Sequence, residues 1–133
     1  MKLIAVAIVA LSCATAALAV STHGPWHRAS VTTYSWAEGG SHAQACTSRP
    51  LQNWHLTFAA RDYQARCGQR IQFCYRHRCV VGRRSDSSGP GVAGDSLDLN
   101  RGLALALHLP RANIVSADGS YPGGYTTLSW RRY

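Results

Sequence analysis

Lysine is almost missing from this sequence. Of 14 basic residues only Lys2 is a lysine, and the other 13 are arginines. Acidic residues are scarce as well, six in all, so the formal net charge is +8. Such a surface suits polyanionic partners such as anionic wall polymers, acidic proteins or nucleic acid. The composition fits equally a solvated basic face with no dedicated partner. No Cys-x-x-Cys pair occurs. Six residues separate Cys67 from Cys74 and four separate Cys74 from Cys79, spacings that do not make a zinc site. His23 and His27 lie close together near a Gly24-Pro25 break and read as stray terminal histidines rather than ligands. No metal and no cofactor are expected. There is no internal repeat and no long low-complexity stretch.

What is present begins with an export signal. Lys2 precedes an almost unbroken apolar run from Leu3 to Leu18, and Ala17-Leu18-Ala19 forms a small-x-small cleavage site. A permanent membrane helix needs about 20 apolar residues, so stable insertion is the weaker reading. Leu11-Ser12-Cys13 faintly resembles a lipoprotein box, which leaves lipidation at Cys13 as a rival. Cleavage after Ala19 leaves 114 residues, enough for one secreted, monomeric domain. We expect residues 1–19 to be the signal, 20–30 a flexible tether and 31–133 the domain.

Four cysteines remain in that domain: Cys46, Cys67, Cys74 and Cys79. An even set in a short exported chain implies two disulfides, with three connectivities open. If Arg76-His77 is a two-residue turn, Cys74 lies directly across from Cys79, within disulfide reach, and Cys46 is left for Cys67. The turn lacks the glycine or asparagine such loops prefer.

Val31–Trp36, His55–Ala60, Ile71–Tyr75, Arg78–Val81 and Tyr125–Trp130 read as strands. Arg83 to Gly94 reads as a polar, glycine-rich loop. One helix follows, with Asn100 as its cap, Leu103, Ala106 and Leu107 as its apolar face, and Pro110 beyond its end. Short strands with a single short helix imply a small, mostly antiparallel barrel.

Asp86-Ser87-Ser88-Gly89-Pro90, Ser96-Leu97-Asp98-Leu99-Asn100 with Gly102–Leu107, and Leu56–Ala60 together resemble RlpA-like domains. The final Leu128–Arg132 is similar to the last strand of expansins and of bacterial papain inhibitors. The resemblance implies a mainly β fold: a disulfide-stabilised, six-stranded double-psi β-barrel with one short helix.

It also implies candidate site residues. Asp86 stands at the catalytic aspartate of RlpA-like lytic transglycosylases. Their histidine position holds Arg61, however, and their glutamate position falls near Arg49-Pro50, where no acid exists. Arginine does not shuttle protons at neutral pH. Expansin-related endoglucanases offer another template, in which Thr32-Thr33-Tyr34 and Leu97-Asp98-Leu99 match and Glu38 stands near the base position. Asp98 has a second reading, as support for the helix start.

Activity is therefore open, with the balance against an enzyme. Binding needs fewer groups. Tyr34, Trp36, Trp54 and Tyr63 provide flat faces for sugar rings, Arg61 a charge beside them, and Tyr34 also reads as barrel core. The expected partner is a cell wall glycan or another anionic polymer. A secreted papain-like protease is the alternative, gripped by loops such as His42–Pro50 or Gly119–Gly124. Nucleic acid rests on charge alone and is not expected.

Overall fold

The computed structural model describes residues 23–39, 43–88 and 96–133. The signal segment, Cys13, His42 and the Gly89-Pro90 pair lie outside them. The strands are β1 (His27–Tyr34), β2 (Thr57–Ala60), β3 (Arg70–Tyr75), β4 (Arg78–Ser87), β5 (Leu97–Asn100) and β6 (Thr126–Arg132). They close into a barrel in the order β1-β5-β2-β4-β3-β6. Two of the pairings are parallel, β1 with β5 and β2 with β4, and the others are antiparallel.

Alternation explains which side chains enter the barrel. Ala29, Val31 and Thr33 of β1, Leu97 and Leu99 of β5, and Leu128 and Trp130 of β6 point inward and are buried. Phe58 and Phe73 meet edge to face at 5.0 Å in the centre. Helix α2 (Arg101–Ala106) closes one end with Leu103, and Leu107 follows it into the core. Its approach depends on Gly102, where a Cβ would lie 2.5 Å from the carbonyl carbon of Trp54.

The hairpin of β3 and β4 has Tyr75 opposite Arg78 and Cys74 opposite Cys79, the register expected from the sequence. Arg76 takes the left-handed conformation that the turn requires, with φ of 52°. That conformation costs a non-glycine residue about 1–2 kcal/mol. A Cys74–Cys79 disulfide holds the two strands together beneath the turn. A second disulfide joins Cys46 to Cys67.

Several local expectations need correction. β1 begins at His27, inside the segment expected to be a tether, because residues 27–31 pair with β6 and the His27 ring stacks on Trp130 at 4.4 Å. At its other end β1 stops at Tyr34, and Trp36 instead opens the four-residue helix α1 (Trp36–Gly39). Arg83 to Ser87 are not loop but the second half of β4. Polar residues hid that strand, since Arg84 and Ser85 are buried and hydrogen bonded. Finally, the Asn100 side chain does not cap α2. Its amide donates to the Gln52 and His55 carbonyls at 2.8 and 2.9 Å, anchoring the segment that leads into β2.

Candidate functional site: an acidic groove across four strands

Four adjacent strands each place one residue along a line. Thr32 of β1 pairs with Asp98 of β5, Asp98 pairs with Ala59 of β2, and Ala59 pairs with Asp86 of β4. With neighbouring strands about 4.8 Å apart, the Cα atoms of the two aspartates lie roughly 9–10 Å from each other. The small Ala59 between them leaves the floor low. The result is a groove of about 290 Å³ lined by Thr32, Thr33, Tyr34, Glu38, Ala59, Asp86, Ser87 and Asp98.

A β-bulge aims Asp86. Phe58 pairs with Arg84 and the next residue, Ala59, pairs with Asp86, so Ser85 is the extra residue. Regular alternation would send Asp86 inward after the buried Arg84. The extra residue reverses the phase, as bulges beside functional sites commonly do. Arg84 then fixes the bulge from below. Its guanidinium donates to the carbonyls of Asp86, at 3.0 Å, and Ala65, and to the Ser87 hydroxyl at 3.0 Å, and it pairs with Asp62 at 2.7 Å. Asp86 Oδ1 accepts the amides of Ala45 and Ser87, each at 2.9 Å. Oδ2 has no protein partner among the described residues, which leaves it to the groove.

Asp98 is held differently. Its Oδ1 accepts the Thr32 hydroxyl at 2.9 Å, and among the described residues no helix amide reaches it. Burial raises its pKa to about 6, the charges of Glu38 and Asp86 add to that rise, and the Thr32 bond opposes it. Glu38 reaches back to the Ser35 amide at 3.0 Å, half of a capping box at the start of α1. The Tyr34 hydroxyl faces Ser85 and Thr57 without closing a hydrogen bond of standard geometry. Burial above all, then the two aspartates, pushes its pKa well above the ordinary range, so it stays a neutral phenol.

The structure thus brings Asp86, Asp98, Glu38 and Tyr34 together. Tyr34 is half-buried and lines the groove. Trp36, Trp54, Arg61 and Tyr63 do not line the groove. Trp36 stands nearest in the chain, at the start of the helix that carries Glu38. Its backbone amide donates to Asn53 Oδ1 at 2.7 Å, so its segment is tied to the one that presents the exposed Trp54. Tyr63 belongs to another part of the surface, and Arg61 lies beside it, with Nη1 at 3.5 Å from the Tyr63 hydroxyl. Sequence reasoning missed Ala59 and Arg84 as site-forming residues. Nothing in a lone alanine or in an Arg83-Arg84 pair announces a groove floor or a buried clamp.

No protein-family model matches the chain, and no curated protein matches it. Solved structures do. A Streptomyces papain inhibitor superposes with a TM-score of 0.54 at 14% identity, covering 83% of this chain and 96% of its own. An expansin from Clavibacter michiganensis gives 0.56 at 19% identity, covering 82% of this chain and 50% of that one. Cerato-platanin 5 from M. perniciosa gives 0.54 at 13% identity, covering 79% and 88%. The fold is a double-psi β-barrel. This chain spans about half the expansin's length, so the shared part is one double-psi barrel. A point mutant of the same expansin was solved in complex with cellohexaose and superposes equally well, at 0.56.

Proposed function

We propose that this protein is exported and binds cell wall polysaccharide in the groove between Asp86 and Asp98. The carrying observation is the lining itself: three carboxylates, two threonines, a serine and a neutral phenol, with no cation among the described lining residues. Carboxylates accept hydrogen bonds from sugar hydroxyls, and charge-assisted bonds are the strong ones. The same carboxylates repel an anionic glycan, so the groove suits a neutral stretch of chain. An expansin half of which matches this barrel was solved in complex with cellohexaose, and that supports a linear glycan of that kind. Two disulfides fit an oxidising compartment outside the cell.

Cleavage is not part of the proposal. Arg61 occupies the histidine position of the transglycosylase pattern and no acid stands at its glutamate position. Asp86→Asn is the clean test of binding, because the amide oxygen keeps both backbone bonds while Nδ2 replaces the Oδ2 acceptor. Retention on cellulose, chitin or peptidoglycan is expected to fall about tenfold with an unchanged melting temperature. The soluble fraction should contain no released sugars. Equal retention of native protein and variant would sink the groove as the binding site.

The papain inhibitor's length supports a second reading, since this chain covers 96% of it. The segment from Ala43 to Pro50, braced by Cys46–Cys67, and the one from Gly119 to Gly124 would then face a protease. Titrating papain separates the two. Stoichiometric inhibition, unaffected by Asp86→Asn, would favour the inhibitor.

A further inference from the structure

Away from the acidic groove the barrel carries a larger cleft of opposite charge. One lobe, of about 690 Å³, is lined by Asp62, Tyr63, Arg66, Gly68, Gln69 and Arg132 among others. A second lobe, of about 430 Å³, is lined by His27, Arg28, Trp130 and again Tyr63 and Arg132. The shared residues make the lobes one trough. None of its lining residues belongs to the groove.

Its charge is one-sided. Arg28, Arg66 and Arg132 are all exposed. Arg83 adds a fourth guanidinium, because its Nη2 lies only 3.2 Å from where a Cβ would stand on Gly68. Gly68 has a φ of +77°, so glycine here provides both the turn and the room. Asp62 is the one acid among the described lining residues, and it is already paired with the buried Arg84 at 2.7 Å. Exposed Tyr63 stands where the lobes meet.

We propose that this trough is a second polysaccharide site, specific for an acidic glycan whose sugars or linkages carry carboxylate or phosphodiester groups. Guanidinium forks match both anions in a bidentate manner. A sugar ring needs a single flat surface, which Tyr63 supplies. Single-stranded nucleic acid needs several open aromatic faces for successive bases, whereas here Trp130 is buried and the His27 ring already stacks on it, which leaves Tyr63. The trough takes the anionic polymers that the groove repels. The proposal stands on its own charges and does not require the groove to bind anything.

The test measures affinity of the mature protein for polygalacturonate and for a polymer of N-acetylglucosamine 1-phosphate, by titration calorimetry near physiological salt. Native protein should bind at least one, and the preferred polymer identifies the anion. Arg66→Gln with Arg132→Gln removes two exposed cations and should weaken that binding about tenfold or more, with an unchanged melting temperature. The same double variant should keep native retention on neutral glycan, whereas Asp86→Asn should keep native affinity for the acidic polymer. Binding of neither polymer, or equal binding by native and double variant, overturns the proposal. So does equally tight binding of single-stranded DNA of matched charge, which would mean the trough responds to charge alone.

Discussion

Arg84→Met is expected to destabilise the barrel by about 2–5 kcal/mol, a large effect for a single substitution. Methionine matches the stem but leaves the Asp86 and Ala65 carbonyls and the Ser87 hydroxyl without the donor that now serves them. A buried group so stranded costs about 1–3 kcal/mol, which applies in full to the Ala65 carbonyl and in part to the other two, which are half-buried. Asp62 is 93% exposed, so its own charge returns to water and adds little. Losing the clamp also frees the bulge that aims Asp86, so glycan retention should fall together with stability. Arg84→Lys should rescue little, since one ammonium cannot span these acceptors as a planar fork does. Urea unfolding followed by tryptophan fluorescence measures the change. A loss below about 0.5 kcal/mol, the range of ordinary surface substitutions, would rule out the clamp.

Asp98→Asn should act in the opposite direction. The folded pKa of Asp98 is about 6 against an ordinary value of 3.8, so the folded state binds the proton more tightly than the unfolded state does. This group therefore stabilises the fold relatively as pH falls, and its contribution is lost as pH rises through about 6. Each tenfold gain in proton affinity corresponds to about 1.4 kcal/mol, and solvent access reduces the whole to about 1–3 kcal/mol. The asparagine variant should accordingly exceed the native protein in stability at about pH 8 and equal it near pH 4. It can still accept the Thr32 hydroxyl. Melting curves across that range decide the matter, and a variant less stable than native at the alkaline end would return Asp98 to a structural role at the helix start.

That sign could not be read from the sequence. Two residues ahead of a helix, Asp98 reads as support for the first turn, whereas the parallel pairing of β1 and β5 turns it toward Thr32. Asn100 misleads in the same way, being drawn to the carbonyls of Gln52 and His55, 48 and 45 positions away. No local pattern encodes partners so distant in the chain. Strand β5 was not legible as a strand, since Leu97-Asp98-Leu99-Asn100 reads as the start of the helix that follows. Strands β1, β2, β3 and β6 were legible, and so was the hairpin, because Cys74 and Cys79 fix its register from either side of a two-residue turn. The second half of β4 was not. Its inward residues are Arg84 and Ser85, and a polar stretch that is buried by satisfying its donors looks like a loop. The bulge at Ser85 was equally hidden, so Asp86 was legible as a residue of interest but not as a groove wall.

Ala59 has a backbone neighbour on each side, Asp98 on one and Asp86 on the other. The width between the two acids is therefore a ruler cut in peptide units rather than a gap between swinging side chains. Such a ruler cannot open or narrow without breaking a strand pair, so the cleft does not adapt to its guest. Molecules would be sorted by thickness at first contact, with little reorganisation during capture and little heat capacity change beyond the surface they cover. Changing what is admitted would mean changing the residue at 59, since a single added methylene there raises the floor for every ligand alike.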